Sequence, residues 1–175
     1  LTIDHADNYE KILLETGRVI PNFDQRKEKI YKDCIFAAES FKDKLHIIDD
    51  EALLNEVTAL VEMPNVLTGS FEDRFLKVPH DCLILTMKAN QKYFPLFDKH
   101  NLLTNHFIIV SNITPKDSTK IIQGNEKVIR PRLADAEFFF EQDKKKSLKS
   151  LSKKLNSIVY HNKLGTQADR AGRVG

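Results

Sequence analysis

Seven lysines and no acid occupy the stretch from Lys144 to Lys163. Side chains of one sign at this density make a local field that attracts phosphate. Lys145, Lys146, Lys149 and Lys153 are the candidate phosphate contacts, set against the bland reading of a simply solvated helix face. Upstream, Arg130 and Arg132 flank Pro131. A guanidinium suits bidentate phosphate binding, and it equally suits pairing with Asp135, Glu137 or a remote carboxylate. Structural ion pairs are the preferred reading for these two. The net charge of only +2 does not by itself indicate nucleic acid.

Other chemistry is thinly represented. Gly124 stands alone in "QGNEKV", so there is no glycine-rich phosphate loop. The six histidines show no metal-ligand spacing. His80-Asp81 lacks the companion histidines of a metal-dependent phosphohydrolase, and Asp81 is better explained as an acid favoured by a helix start. Cys34 and Cys82 have no metal or redox spacing and read as free buried thiols of a reducing cytoplasm. No nucleophile, base and oxyanion donor come together. The expectation is a piece without catalytic or metal-binding residues of its own.

The 175 residues are 41% hydrophobic and 30% charged, an ordinary globular composition. Eleven Phe and no Trp predict a core with a large aromatic share. No apolar run approaches the roughly 20 residues that span a bilayer, and no signal peptide is evident. A start at Leu1 and a stop after Arg173-Val174-Gly175 predict a piece of a longer protein.

The elements that must position these groups follow from patterning. Asp4 is expected to cap a first helix ending near Gly17, and Asp24 a second helix reaching about Phe41. A third helix is expected from Asp50 to Glu62, with Leu53, Leu54, Val57, Leu60 and Val61 on one stripe. "NVLTGSF" reads as a short strand turning at Thr68-Gly69-Ser70. Pro79 opens a short helix with Leu83, Ile84 and Met87 inward. Two extended segments then flank a polar turn at Asp98 to Asn101; "HFIIVSNI" is a well-buried strand, and Pro95 puts its partner on an edge or at a bulge. From Ser118 the pattern is helical, interrupted at Pro131. The class is α+β, helices on a small, mostly antiparallel sheet.

Stepping about 100° per residue from Leu133 places Phe140, Leu148, Leu151, Leu155 and Ile158 on one stripe, which predicts a single long helix of roughly seven turns. Lys145, Lys146, Lys149 and Lys153 fall opposite that stripe. Phe138, Phe139 and Phe140 span 200° on a helix, so they cannot share one core. Phe140 joins the stripe and Phe139 flanks it. Phe138 needs a second surface: another layer, the next domain or another subunit. Ordinary packing on two sides leads, ahead of partner docking and of base stacking.

The strings "LVEMPNVLTGSFEDRFLKVP", "MKANQKYFPLFD", "FIIVSNI", "GNEKVIRPRLADAEFFFEQDKKK" and "KLGTQADRAGRV" occur in this order. Together they closely resemble the beta subunit of the bacterial heterotetrameric glycyl-tRNA synthetase family, over essentially the whole chain. Met63 stands where that family's "VEWP" has tryptophan, and His80-Asp81 replaces a usual acidic pair. The resemblance implies a cytoplasmic α2β2 ligase that joins glycine to its tRNA using ATP and Mg, with the class II catalytic core on the alpha subunit. It implies no cofactor in this piece, a module similar to the B3/B4 domain of the phenylalanine enzyme over residues 1–130, a long helix over 131–160, and the beginning of an HD-type domain at 161–175. On that reading the chain positions the tRNA acceptor arm, with Lys88 and Lys92 joining Arg130, Arg132, Lys145, Lys146, Lys149 and Lys153 as candidate contacts. Two other readings stand beside it: a purely structural or subunit-docking module, and a residual editing-type hydrolase pocket.

Overall fold

The computed structural model describes residues 1–175. The class is α+β, with seven helices, a three-stranded antiparallel sheet and a separate two-stranded ribbon. In chain order these are α1 (Tyr9–Ile12), α2 (Phe23–Glu39), α3 (Glu51–Leu60), β1 (Asn65–Ser70), α4 (His80–Gln91), β2 (Phe94–Phe97), β3 (Leu103–Ser111), α5 (Thr119–Lys144), α6 (Leu148–Ser152), β4 (Val159–His161), β5 (Gly165–Thr166) and α7 (Gln167–Val174). The chain divides into two compact units, Leu1–Ala136 and Glu137–Gly175.

In the first unit the strand order is β1-β3-β2. The continuous apolar run Phe107-Ile108-Ile109 makes β3 the central strand, buried along its middle. Alternation sends Ile108 to one face, where it packs with Ile30, Cys34 and Ala38 of α2, Leu53 and Val57 of α3, and Phe94 of β2. On the opposite face the Phe107 ring stacks on Tyr93 at 4.7 Å and on Phe71 at 6.4 Å. Tyr93 in turn donates to Asn125 Oδ1 at 2.6 Å, which ties α5 to this side. Ile129 and Leu133 of α5 and Leu83 and Met87 of α4 are fully buried. The turn at Asp98 to Asn101 is closed by Asp98, whose carboxylate accepts from the backbone N–H groups of His100 and Leu102. Pro95 lies on the edge strand β2, beside a register shift.

Helix starts follow side-chain chemistry at the N-cap. Asp50, where the third helix is expected to begin, accepts from Leu53 N–H at 3.0 Å and caps α3. For α2 the cap is Asn22, accepting from Gln25 N–H at 3.0 Å, and Asp24 sits one residue inside the helix. There its charge favours the dipole instead. The N-terminal segment is not one helix but a 3-10 turn, α1 and a π turn over Leu13–Gly17. It ends on Arg18 at φ 53°, not on a left-handed Gly17.

Three further expectations are corrected. Gly69 makes no turn; β1 runs straight through it. A Cβ at Gly69 would lie 2.7 Å from Phe107 Cζ, so the glycine is there to let the ring close over the strand. Pro131 does not interrupt α5, which runs through it from Thr119 to Lys144; the proline lies on an exposed side of the helix. The single long helix to Ile158 does not form. α5 ends at Lys144, and Ser147 starts α6 by accepting from Ser150 N–H at 3.2 Å. A 3-10 turn over Lys153–Ser157 follows. Cys34 is buried and burial pushes its thiol up to about 12, whereas Cys82 is exposed on α4.

In the second unit β4 and β5 pair antiparallel, and Thr166 starts α7 with a reciprocal capping box to Asp169. No side chain from Glu137 to Gly175 is buried.

Gly69→Ala is expected to cost about 1–3 kcal/mol in urea denaturation, the range for a forced overpacking. The cost should shrink in a Phe107→Leu background. Equal costs in both backgrounds would place the constraint elsewhere.

Candidate nucleic-acid interface

The eight candidate cations divide into two kinds. Lys88, near the C-terminus of α4, reaches the Asp50 carboxylate at the start of α3. Lys92, in the left-handed position that ends α4 (φ 59°), lies 2.8 Å from Glu56 of α3. Arg130 of α5 places Nε 2.6 Å from Glu72 Oε1. This is the remote carboxylate the sequence left open, rather than Asp135 or Glu137. The second oxygen, Glu72 Oε2, is buried without a hydrogen-bond partner. A phosphate approaching any of these three cations competes with a carboxylate already in place.

Arg132, Lys145, Lys146, Lys149 and Lys153 are exposed, with no carboxylate within 4.0 Å. Arg132 lies on α5 in the first unit, and the four lysines belong to the second. The lysines do not share one continuous helix face, because Lys145 and Lys146 are in the turn after α5, Lys149 is on α6 and Lys153 opens the 3-10 turn. Lys144, by contrast, is held at home. It pairs with Glu141 at 3.0 Å and lies over the Phe140 ring at 5.0 Å. These four lysines are thus exposed ammonium ions on short turns and a short helix, whose start Ser147 caps.

The three phenylalanines separate as helical geometry requires. Phe140 is half-buried under Lys144. Phe138 and Phe139 are 57% and 63% exposed and meet edge to face at 5.5 Å. Neither enters a core within its unit.

Asp50 combines two jobs. Its carboxyl is held below the usual carboxylate range, first by the Lys88 ammonium and then by Leu53 N–H. His106, half-buried on β3, is pushed below the usual imidazole range by burial, which the nearby Asp73 charge partly opposes. Sequence reasoning missed the acceptors Asp50, Glu56 and Glu72. They are remote in sequence, and no local spacing announces them. No group of three or more histidines, cysteines or acids is arranged to hold a metal ion.

An α+β unit in which Lys88, Lys92 and Arg130 are paired, and a second unit in which Lys145, Lys146, Lys149 and Lys153 hold no ion pair, are the setting for the comparison with known proteins. The profile described as glycyl-tRNA synthetase beta subunit matches residues 1–175, and the chain belongs to that family. It is similar to the glycine–tRNA ligase beta subunit of Methylobacillus flagellatus, 58% identical over 174 residues that make up 99% of this chain and 24% of that protein. It is also similar to those of a Janthinobacterium species (56% over 172 residues, 98% and 25%) and Acidovorax ebreus (55% over 174 residues, 99% and 24%). The chain spans about a quarter of the length of these curated relatives. No helix is long and apolar enough to cross a membrane.

Because the folded Asp50 carboxyl titrates below its unfolded value, its contribution to stability is present above the unfolded pKa, about 3.9. It is lost as pH falls through the lower folded value. Asp50→Asn keeps a capping oxygen and removes the charge. It is expected to lower stability at pH 7 by about 1 kcal/mol and to weaken the acid-induced loss. Identical pH profiles for the two proteins in urea denaturation would count against the Lys88 pairing.

Proposed function

We propose that this chain is a tRNA-positioning and assembly part of a glycine–tRNA ligase, the aminoacyl-tRNA synthetase that attaches glycine to tRNA-Gly in protein biosynthesis. The family membership supports the parent activity. The observation that carries the RNA role is the set of exposed ammonium groups Lys145, Lys146, Lys149 and Lys153, none of which is held in an ion pair, so that they are available to phosphate. On this reading the chain does no bond chemistry. ATP, Mg and glycine are handled by the alpha subunit of an α2β2 cytoplasmic enzyme. The beta subunit contributes orientation, holding the acceptor arm so that its terminal ribose meets the adenylate. Residues 1–130 are the part we liken to a B3/B4 module, and residues 161–175 the part we liken to the start of an HD-type domain. Lys88, Lys92 and Arg130 serve mainly as internal ties, and Arg132 is the arginine left for RNA.

A docking role has its own support. Phe138 and Phe139 present an exposed aromatic pair on a unit that buries no side chain. Such a surface suits a protein partner, and the alpha subunit is the one we propose.

Replacing Lys145, Lys146, Lys149 and Lys153 together with Glu in the full complex is expected to weaken tRNA binding. The slope of log K against log salt should fall by about 3 to 4, roughly one per phosphate contact. An unchanged affinity and slope would reject this surface as an RNA contact. Phe138→Ala should loosen alpha–beta association by about 10-fold or more while thermal unfolding of the chain is unchanged. Full association, measured by analytical ultracentrifugation, would remove Phe138 from the interface.

A further inference from the structure

The two edges of the central sheet are treated differently. The β2 edge is guarded. It carries Pro95 and a register shift, and it is bridged by the backbone of His46, which exchanges hydrogen bonds with Phe97 at 2.9 Å in both directions. Proline, bulges and covering segments are the ordinary means of blocking an edge. The β1 edge, "NVLTGS", has no proline, no charge and no bulge in its pairing with β3, and a side chain of α5, Glu126, covers it only at its end, at Ser70.

The backbone direction along β1 can be read from its end. Phe71 N–H donates inward to Asn105 O at 3.0 Å, whereas Ser70 N–H donates away from β3, to Glu126 Oε1 at 2.9 Å. In an antiparallel pair these directions alternate residue by residue. Asn65, Leu67 and Gly69 therefore bond to β3, and Val66 and Thr68 direct N–H and C=O off the sheet. A groove of about 550 Å³ runs beside them, walled by Phe36, Ala37 and Phe41 of the α2 side and by Ile122 of α5. Phe36 is 75% exposed, the most exposed large apolar side chain of the first unit. A fourth strand beside β1 would take up the free backbone groups of Val66 and Thr68. Every second side chain of that strand would face Phe36.

We propose that β1 receives an extended strand from the part of the same polypeptide that lies outside Leu1–Gly175. This makes the sheet four-stranded and covers Phe36. The chemistry of the site calls for extended backbone with apolar residues at alternate positions. The relatives' lengths supply the source, since about three-quarters of each lies outside the matched region. A strand within one chain also meets the edge at a far higher effective concentration than a separate partner. The inference does not depend on any RNA contact.

The test uses the full-length beta subunit, with and without its alpha partner. Amide hydrogen exchange at Val66 and Thr68 should be slowed at least 100-fold relative to an exposed edge. A photo-crosslinking residue in place of Phe36 should form an adduct within the same chain, at a residue outside Leu1–Gly175. Phe36→Asp should speed exchange at Val66 and Thr68 and leave Gly69, bonded to β3, protected. Fast exchange at both amides in the unaltered protein would overturn the proposal. So would an adduct to the alpha subunit, to tRNA or to a second copy of the chain.

Discussion

The first unit depends on one strand that cannot tolerate water on either face. Phe107, Ile108 and Ile109 follow one another on β3, and a strand turns consecutive side chains to opposite sides. A single covering layer would leave half of them wet. The chain therefore supplies two. α2 and α3 close one face, and the aromatic group of Phe71, Tyr93 and Phe107 closes the other with α5 tied to it. Gly69 exists to admit the Phe107 ring, and Asn125 to satisfy the Tyr93 hydroxyl that this arrangement buries.

The same two-layer arrangement sorts the cations. Packing α4 and α5 near α3 and the segment around Glu72 brings Lys88, Lys92 and Arg130 to carboxylates. Such exposed or half-exposed pairs add little stability each. Their larger effect is on function, because they engage charges that would otherwise attract a polyanion. In the second unit Lys145, Lys146, Lys149 and Lys153 are exposed and hold no ion pair, which leaves their charge to the local field. The ligase family to which the chain belongs handles a polyanionic substrate in the reading advanced above.

Much of the first unit was legible because its signals are local. Asp50 before an apolar stripe marks a helix start, and the β-branched run of β3 beside a polar turn marks a hairpin. The misreadings share a cause. Asn22 and Asp24 are both competent caps, and only the path of the chain from Pro21 chooses between them. Gly69 and Pro131 are punctuation by local rule, yet one lies beneath a ring and the other on an exposed helix side. The break after Lys144 did have a local sign, Ser147, which a helical stripe read over too long a distance concealed.

By itself the sequence determined the family, the α+β class, the hairpin and the presence of more cations than local acids around Lys144 to Lys163. All of these rest on residue identity and near-neighbour spacing. Only the tertiary structure decided which cations are already partnered, that Phe138 and Phe139 stay exposed, and that one edge of the sheet is guarded while the other is open. Each of those depends on groups dozens of residues apart meeting in space: Lys88 with Asp50, Arg130 with Glu72, His46 with Phe97. Short-range periodicity carries no record of such encounters, because they are set by how the layers close over β3.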